Sequence, residues 1–188
     1  IETKECEMHI TINAHGEPTL YKPMPGLIKD LSQIKNVKTV SLITNGTLLT
    51  EEYIDKLEKA GLTKLNVSLN AVSEKMAKIL EGSGKYDVNH VKRICEYAAK
   101  KIEVILAPVF VPGYNDNEIV KLAKFAQKVG AGKNRPPIGI QNFLHYHFGR
   151  NPVKPVEMDV FYKKLRDLEQ KHGIKLIYNE NMFNIKKC

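Results

Sequence analysis

Short apolar runs alternate with segments of helical periodicity, and that alternation leaves this chain very few folds. Six runs read as strands: "EMHITINA", "KTVSLITN", "TKLNVSLN", "EVILAPVFV", "IGIQNFLHY" and "IKLIYN". They are rich in Val, Ile and Leu, with apolar residues at most positions, the pattern expected of strands covered on both faces. Between them, Thr50 is placed to cap "TEEYIDKLEKAG", with Glu51 and Glu52 in its first turn and Gly61 just past its end. Ile54, Leu57 and Ala60 form its apolar stripe. A second helix starts at Asp116 or Asn117 and aligns Ile119, Leu122, Ala123, Ala126 and Val129. A third, "EMDVFYKKLRDLEQKHG", gathers Phe161, Leu165 and Leu168 and stops at Gly173. The segment from Leu20 to Asn36 is a weaker helix starting after Pro25. The connection from Ser73 to Lys101 is expected to break into two helices around "GSGKYD".

Strand–helix alternation of this kind implies right-handed crossovers and a parallel sheet. Two closures are open, a doubly wound sheet or a full or partial β/α barrel. A dinucleotide-binding sheet would carry G-x-G-x-x-G after its first strand, and that motif is missing. A barrel puts its chemistry at the C-terminal ends of the strands, so those ends are read together. With 188 residues and 43% apolar content, the chain suits one domain spanning residues 1–188. It holds no apolar run of membrane-spanning length and begins without a signal-peptide pattern, so a cytoplasmic protein with no membrane partner is expected. Its first strand follows so closely on Ile1 that a piece of a longer protein is expected. The net charge of +8 comes from lysines scattered over helical segments, which reads as solvated faces before it reads as an RNA surface.

Each strand stops at a polar or glycine-containing cluster. The ends are His15-Gly16-Glu17-Pro18, Thr44-Asn45-Gly46-Thr47, Ser68-Leu69-Asn70 and Val111-Pro112-Gly113-Tyr114-Asn115-Asp116. The fifth run carries Gln141-Asn142 and then His145-Tyr146-His147. Any one of these is an ordinary turn. Five on one rim point to a ligand with many donors and acceptors.

Taken together, "HGEPTL", "TNGTLLTEE", "VSLNAV" and "VPGYND" resemble the radical S-adenosylmethionine (SAM) superfamily. "HGEP" is similar to the family's Gly-Gly-Glu-Pro motif, with His15 in place of the first glycine. The likeness runs in register from about Glu7 to Tyr178 and is nearest to archaeal members that end in an RNA-binding TRAM domain. It implies an α/β fold, a partial TIM-type (β/α)6-like barrel of parallel strands with its first strand missing from this chain.

The resemblance also implies roles. The edge of Gly16, Glu17 and Pro18 would receive the α-amino group of SAM, with strand-end carbonyls and the Glu17 carboxylate as acceptors. Asn45, Ser68 and Asn70 would bond the ribose hydroxyls and the methionyl carboxylate. Val111, Pro112 and Gly113 would flank the adenine. Plainer readings stand beside these: Glu17 paired with a rim lysine, His15 as a hydrogen-bonded structural residue, and Asn115 or Asp116 as a helix cap.

The family's C-x3-C-x2-C loop, which holds a [4Fe-4S] cluster, does not occur. Cys6, Cys95 and Cys188 are 89 and 93 positions apart, each more easily read as a buried apolar residue or a tail residue. The cluster ligands are therefore expected N-terminal to this chain, and no metal site within it. Without them these residues alone are expected to be inactive. The resemblance implies an electron donor and a substrate, with RNA among the candidates. The uncovered edge at Met8 to Asn13 would favour an edge-paired or swapped dimer. Two other readings compete, a β/α-barrel enzyme of aldolase or phosphate-binding type and a non-catalytic RNA-binding module. The first lacks a strand-end lysine, the second has 7% aromatics to stack bases, and its best contact is "HYHFGRNP".

Overall fold

The computed structural model describes residues 7–134, 136–145, 147 and 151–178. Four strands, β1 (Met8–Ile12), β2 (Val37–Thr44), β3 (Lys64–Val67) and β4 (Glu103–Leu106), pair in the order β1-β2-β3-β4. Every pairing is parallel. Two further strands, β5 (Val109–Phe110) and β6 (Gln141–Asn142), also pair in parallel. A bridge between Leu106 and Ile138 carries the ladder from β4 towards β6. Neighbours in space are neighbours in sequence, as in a partial β/α barrel. A doubly wound sheet would reverse its order at a switch point.

Helices fill the connections: α1 (Met24–Ser32), α2 (Glu51–Lys59), α3 (Glu74–Leu80), α4 (Val88–Ala98), α5 (Asp116–Lys128) and α6 (Met158–His172). Local chemistry sets their ends. The Tyr53 amide donates to Thr50 Oγ1 at 3.1 Å and opens α2. Gly61 closes it at φ +105°, where a Cβ would stand 2.6 Å from the Ser32 side chain. The break between α3 and α4 falls at Gly82, in the left-handed region, and Asp87 caps α4 through the Asn89 and His90 amides. Gly173 ends α6 in the αL conformation.

The helices pack on one face of the sheet. Val40, Leu42, Leu65, Val67, Val104 and Leu106 are each at most 1% exposed and share a core with Ile54, Leu57, Val91 and Ile119. The other face corrects the expectation of strands apolar on both sides. Register places Thr11, Ser41, Lys64 and Glu103 in one polar row across all four strands. The Thr11 and Ser41 hydroxyls bond at 2.8 Å. This face is the interior of an open barrel, along which Thr11 is exposed, Lys64 and Glu103 are half-buried and Ser41 is buried.

Three runs differ from their sequence reading. "EVILAPVFV" is two strands, since Pro108 has no amide to donate and interrupts the ladder. "IGIQNFLHY" keeps only the Ile138 bridge and the two residues of β6, with Tyr146 outside the described residues. "IKLIYN" is not a strand over residues 174–178. Ile174 and Leu176 are buried, but the Leu176 and Ile177 amides donate to Glu169 Oε1 at 2.6 and 2.8 Å instead of to a ladder. Strand β1 is an edge of the described sheet, and Met8 on it is 39% exposed. No helix among the described residues is long and apolar enough to cross a membrane.

Candidate functional site

Beyond β1 the chain turns through Gly16, at φ +110° with open space where a side chain would stand. It enters a 3-10 turn (Pro18–Leu20) with Glu17 as its cap. The Glu17 carboxylate is the centre of a clasp. Oε1 accepts from the Thr19 amide at 3.0 Å, from the Thr19 hydroxyl at 2.6 Å and from the Thr44 hydroxyl at 2.6 Å. Oε2 accepts from the Asn45 amide at 2.8 Å. One carboxylate thus ties the β1 turn to the end of β2. The pairing of Glu17 with a rim lysine is not what the structure shows.

Thr44 is 2% exposed and also accepts from the Gly46 amide at 3.0 Å. Asn45 closes a local turn, its Oδ1 accepting from the Thr47 amide and hydroxyl. Gly46 sits at φ +77°, and a Cβ there would meet Val91 Cγ1 at 3.1 Å, so the tight turn needs glycine. The Ser68 amide extends the β2–β3 ladder to Thr44 O at 2.8 Å. These ends surround a first cleft of about 180 Å³, bordered by Asn13, Gly16, Glu17, Pro18, Asn45 and Ser68.

Asn70 and Val111 face elsewhere. They border a second cavity of about 490 Å³, with Ile79, Tyr114, Asn142, Phe143 and Leu144 among its walls. The predicted rim is therefore two clefts separated at the end of β3. Both ends of the Asn70 amide are already committed: Oδ1 accepts from the Val109 amide at 2.8 Å and Nδ2 donates to Glu81 Oε1 at 2.9 Å. Burial raises the Glu81 carboxyl above its ordinary range, against the lowering effect of the Asn70 bond. Pro112 and Gly113 border neither cleft; the Gly113 amide donates to Asp116 Oδ2. His15 is exposed.

Asn115, read from sequence as a helix cap, has another task. It precedes α5, but its side chain is 0% exposed and makes no cap bond. Its Oδ1 accepts from the Val111 amide at 2.7 Å, and its Nδ2 donates to Asn70 O at 3.1 Å and Val109 O at 2.8 Å. Glu81, Asn115 and Asn142 were not singled out as site residues from the sequence. The one available signal was a run of Asn residues at successive strand ends.

Thiolate chemistry has little support in the described residues. Cys95 lies in the core, and burial pushes its thiol up to about 12, so it stays protonated. Cys6 and Cys188 fall outside the described residues. Among the described residues no three His, Cys, Asp or Glu side chains converge to hold a metal ion.

Comparison with known proteins agrees with this architecture. Residues 8–126 match the Radical SAM superfamily. An uncharacterized protein of Methanocaldococcus jannaschii, MJ0103, is 36% identical over 99% of this chain and 47% of its own length. A probable GTP 3',8-cyclase of Archaeoglobus fulgidus is 30% identical over 64% of this chain and 39% of its own length. The structure of TYW1 with a lysine-pyruvate adduct bound superposes with a TM-score of 0.69 at 23% identity, over 91% of this chain and 53% of that one. Streptococcus suis SuiB bound to S-adenosylmethionine gives 0.66 at 16% identity, over 87% and 37%. These two likenesses speak to fold. The chain spans about half the length of the M. jannaschii relative, 47%. With the parallel sheet in sequential order and more than half of its residues matching the family, this chain belongs to the radical SAM superfamily.

Proposed function

We propose that the chain is the SAM-binding core of a radical SAM enzyme. The first cleft takes the methionine end and the second cavity takes the nucleoside end beside Val111. The observation that carries this reading is the clasp at Glu17, which holds the glycine turn, the end of β2 and Ser68 around one small polar space. The four bonds already on the Glu17 carboxylate change its assigned part. It builds the acceptor site, and an ammonium is received mainly by strand-end carbonyls and the remaining lone pair on Oε2. Gly16 leaves the backbone open to approach, Pro18 fixes the turn, and Ser68 borders the cleft. Asn45 acts through the turn it stabilises. Asn70, with both amide ends engaged, bounds the nucleoside side. Pro112 and Gly113 shape the loop that carries Val111.

When bound, SAM supplies the adenosyl group that a one-electron reduction of its sulfonium releases. The donor set of the described residues does not fit a [4Fe-4S] cluster, because the one described cysteine is buried and protonated. These residues therefore bind and orient SAM but do not ligate the cluster, and the 188 residues alone are expected to bind SAM without cleaving it. The net charge of +8 supports a polyanionic substrate such as RNA for the whole enzyme.

Calorimetry with S-adenosylhomocysteine, which needs no reduction, tests the reading. Replacing Ser68 by Ala removes one neutral hydrogen bond and should weaken binding about three- to tenfold. Its thermal midpoint should stay within error of wild type, because the bond that ties Ser68 to β2 runs from its backbone amide to Thr44 O, which Ala keeps. Absence of binding at millimolar ligand, or equal affinity in Ser68→Ala and wild type, would overturn the assignment.

A further inference from the structure

We infer, on the reading that gives the first cleft to SAM, that Asn13 is a further binding residue there: its side-chain N–H groups donate to the α-carboxylate of the methionyl end, with Asn45 and Ser68 as the other donors. Register brings the three together. Ile12 pairs with Leu42 and Thr44 pairs with Val67, and Leu42, Thr44 and Val67 are buried on the helix side of the sheet. Side chains alternate along a strand, so Asn13, Asn45 and Ser68, each one step further on, fall to the barrel interior. All three border the first cleft.

What these side chains have left to offer is donors. Asn13 Oδ1 accepts from the Ala14 amide at 2.9 Å, which fixes the orientation of the side chain, since the reverse placement would set N–H against N–H. Asn45 Oδ1 is likewise taken, by the Thr47 amide and hydroxyl. Neither Nδ2, nor the Ser68 hydroxyl, has a partner among the described residues. Two amide NH₂ groups and one hydroxyl therefore face a cleft of about 180 Å³ from three strand ends. A lone anion suits that space poorly, because the Glu17 carboxylate borders it and no Lys, Arg or His is among the described residues lining it. An α-amino acid head suits it well. Its ammonium is held on the Glu17 side, and its carboxylate, two bonds away, has lone pairs enough for all three donors.

S-adenosylhomocysteine and its decarboxylated analogue, which keeps the ammonium, are matched probes for calorimetry on the 188-residue chain. Wild type should bind S-adenosylhomocysteine about tenfold more tightly than the analogue. Asn13→Ala should weaken S-adenosylhomocysteine about three- to tenfold and leave the analogue within about twofold. Asn13→Asp keeps the acceptor for the Ala14 amide and replaces the donors by a negative oxygen. It should weaken S-adenosylhomocysteine by more than about tenfold while the analogue binds as well or better, a split that a merely structural role would not give. Equal binding of the two probes to wild type overturns the inference whether or not any variant folds. Equal losses on both probes in the Asn13 variants, or no loss on either, also overturn it while the SAM reading stands. If S-adenosylhomocysteine fails to bind wild type, the SAM reading falls, and ligand-observed NMR with L-methionine and L-methioninamide decides the donor site. A preference for L-methionine that Asn13→Asp abolishes supports it, and equal or absent binding of the two at millimolar concentration overturns it.

Discussion

Replacing Glu17 by Ala is expected to weaken the fold itself, and the size of the loss follows from the clasp. Four donors lose their acceptor: the Thr19 amide and hydroxyl, the Thr44 hydroxyl and the Asn45 amide. The two hydroxyls can rotate towards other acceptors or water. The two amides cannot rotate, and each stranded donor costs about 1–3 kcal/mol when buried. Water reaches this rim through the first cleft, so the lower half of that range applies and the total is about 2–4 kcal/mol. For a chain of this size that lowers the thermal midpoint by about 4–16 °C. Glu17→Gln keeps the Oε1 acceptor but sets an amide NH₂ against the Asn45 N–H, for a loss of about 1–2 kcal/mol. Urea unfolding followed by circular dichroism measures both, with the Thr44→Val and Glu17→Ala pair expected to be non-additive because they share one bond. An unchanged midpoint in Glu17→Ala would refute the clasp. It would return Glu17 to the role of a free carboxylate waiting for an ammonium.

Asn115→Ala should destabilise by about 2–4 kcal/mol, since a fully buried amide leaves the Val111 N–H and two carbonyls unpaired. Urea unfolding with a midpoint within error of wild type would contradict the structure there. Glu81→Gln should stabilise the chain at neutral pH while keeping an acceptor for Asn70. The sign follows from burial: a carboxyl whose folded pKa is raised contributes fully below its unfolded value, near 4.5, and loses that contribution as pH rises through the folded value. The advantage of Glu81→Gln over wild type should therefore be small at pH 4 and grow above about pH 5, and a constant difference across that range would refute it.

Turn chemistry was legible in the sequence where it is local. Thr50 and Gly61 bound α2, Gly173 ends α6, and the chain breaks between α3 and α4 within "GSGKYD", because each signal acts over a few residues. Parallel pairing was legible from alternation, and the sequential order of a partial barrel only with the family resemblance beside it. Misread elements depended on what lies across the fold. "IKLIYN" has a strand's composition, yet Glu169, seven residues before Leu176, supplies its amides with an acceptor that no ladder offers. The polar row from Thr11 to Glu103 is invisible until register aligns four separate strands. Pro108 was visible but read through, since the apolar run continues on both sides of it.

At the rim, the residues were legible and their grouping was not. Gly16, Glu17, Asn45 and Ser68 do converge, but the bond from Thr44 to Glu17 spans 27 positions and cannot be inferred from either segment alone. The division into two clefts has its cause one strand further on. Ser68 and Asn70 are two positions apart, and Asn70 is pulled to the far side by Val109 and Glu81, while Asn115 fastens its carbonyl from 45 positions away. The end of β3 is consequently a wall common to both clefts, stiffened by side-chain amides whose donors and acceptors are spent on the protein. A ligand reaching from Ser68 to Val111 must cross that wall without drawing hydrogen bonds from it. Its recognition then depends on the two spaces at either end, polar and small on one side, apolar and roomy on the other.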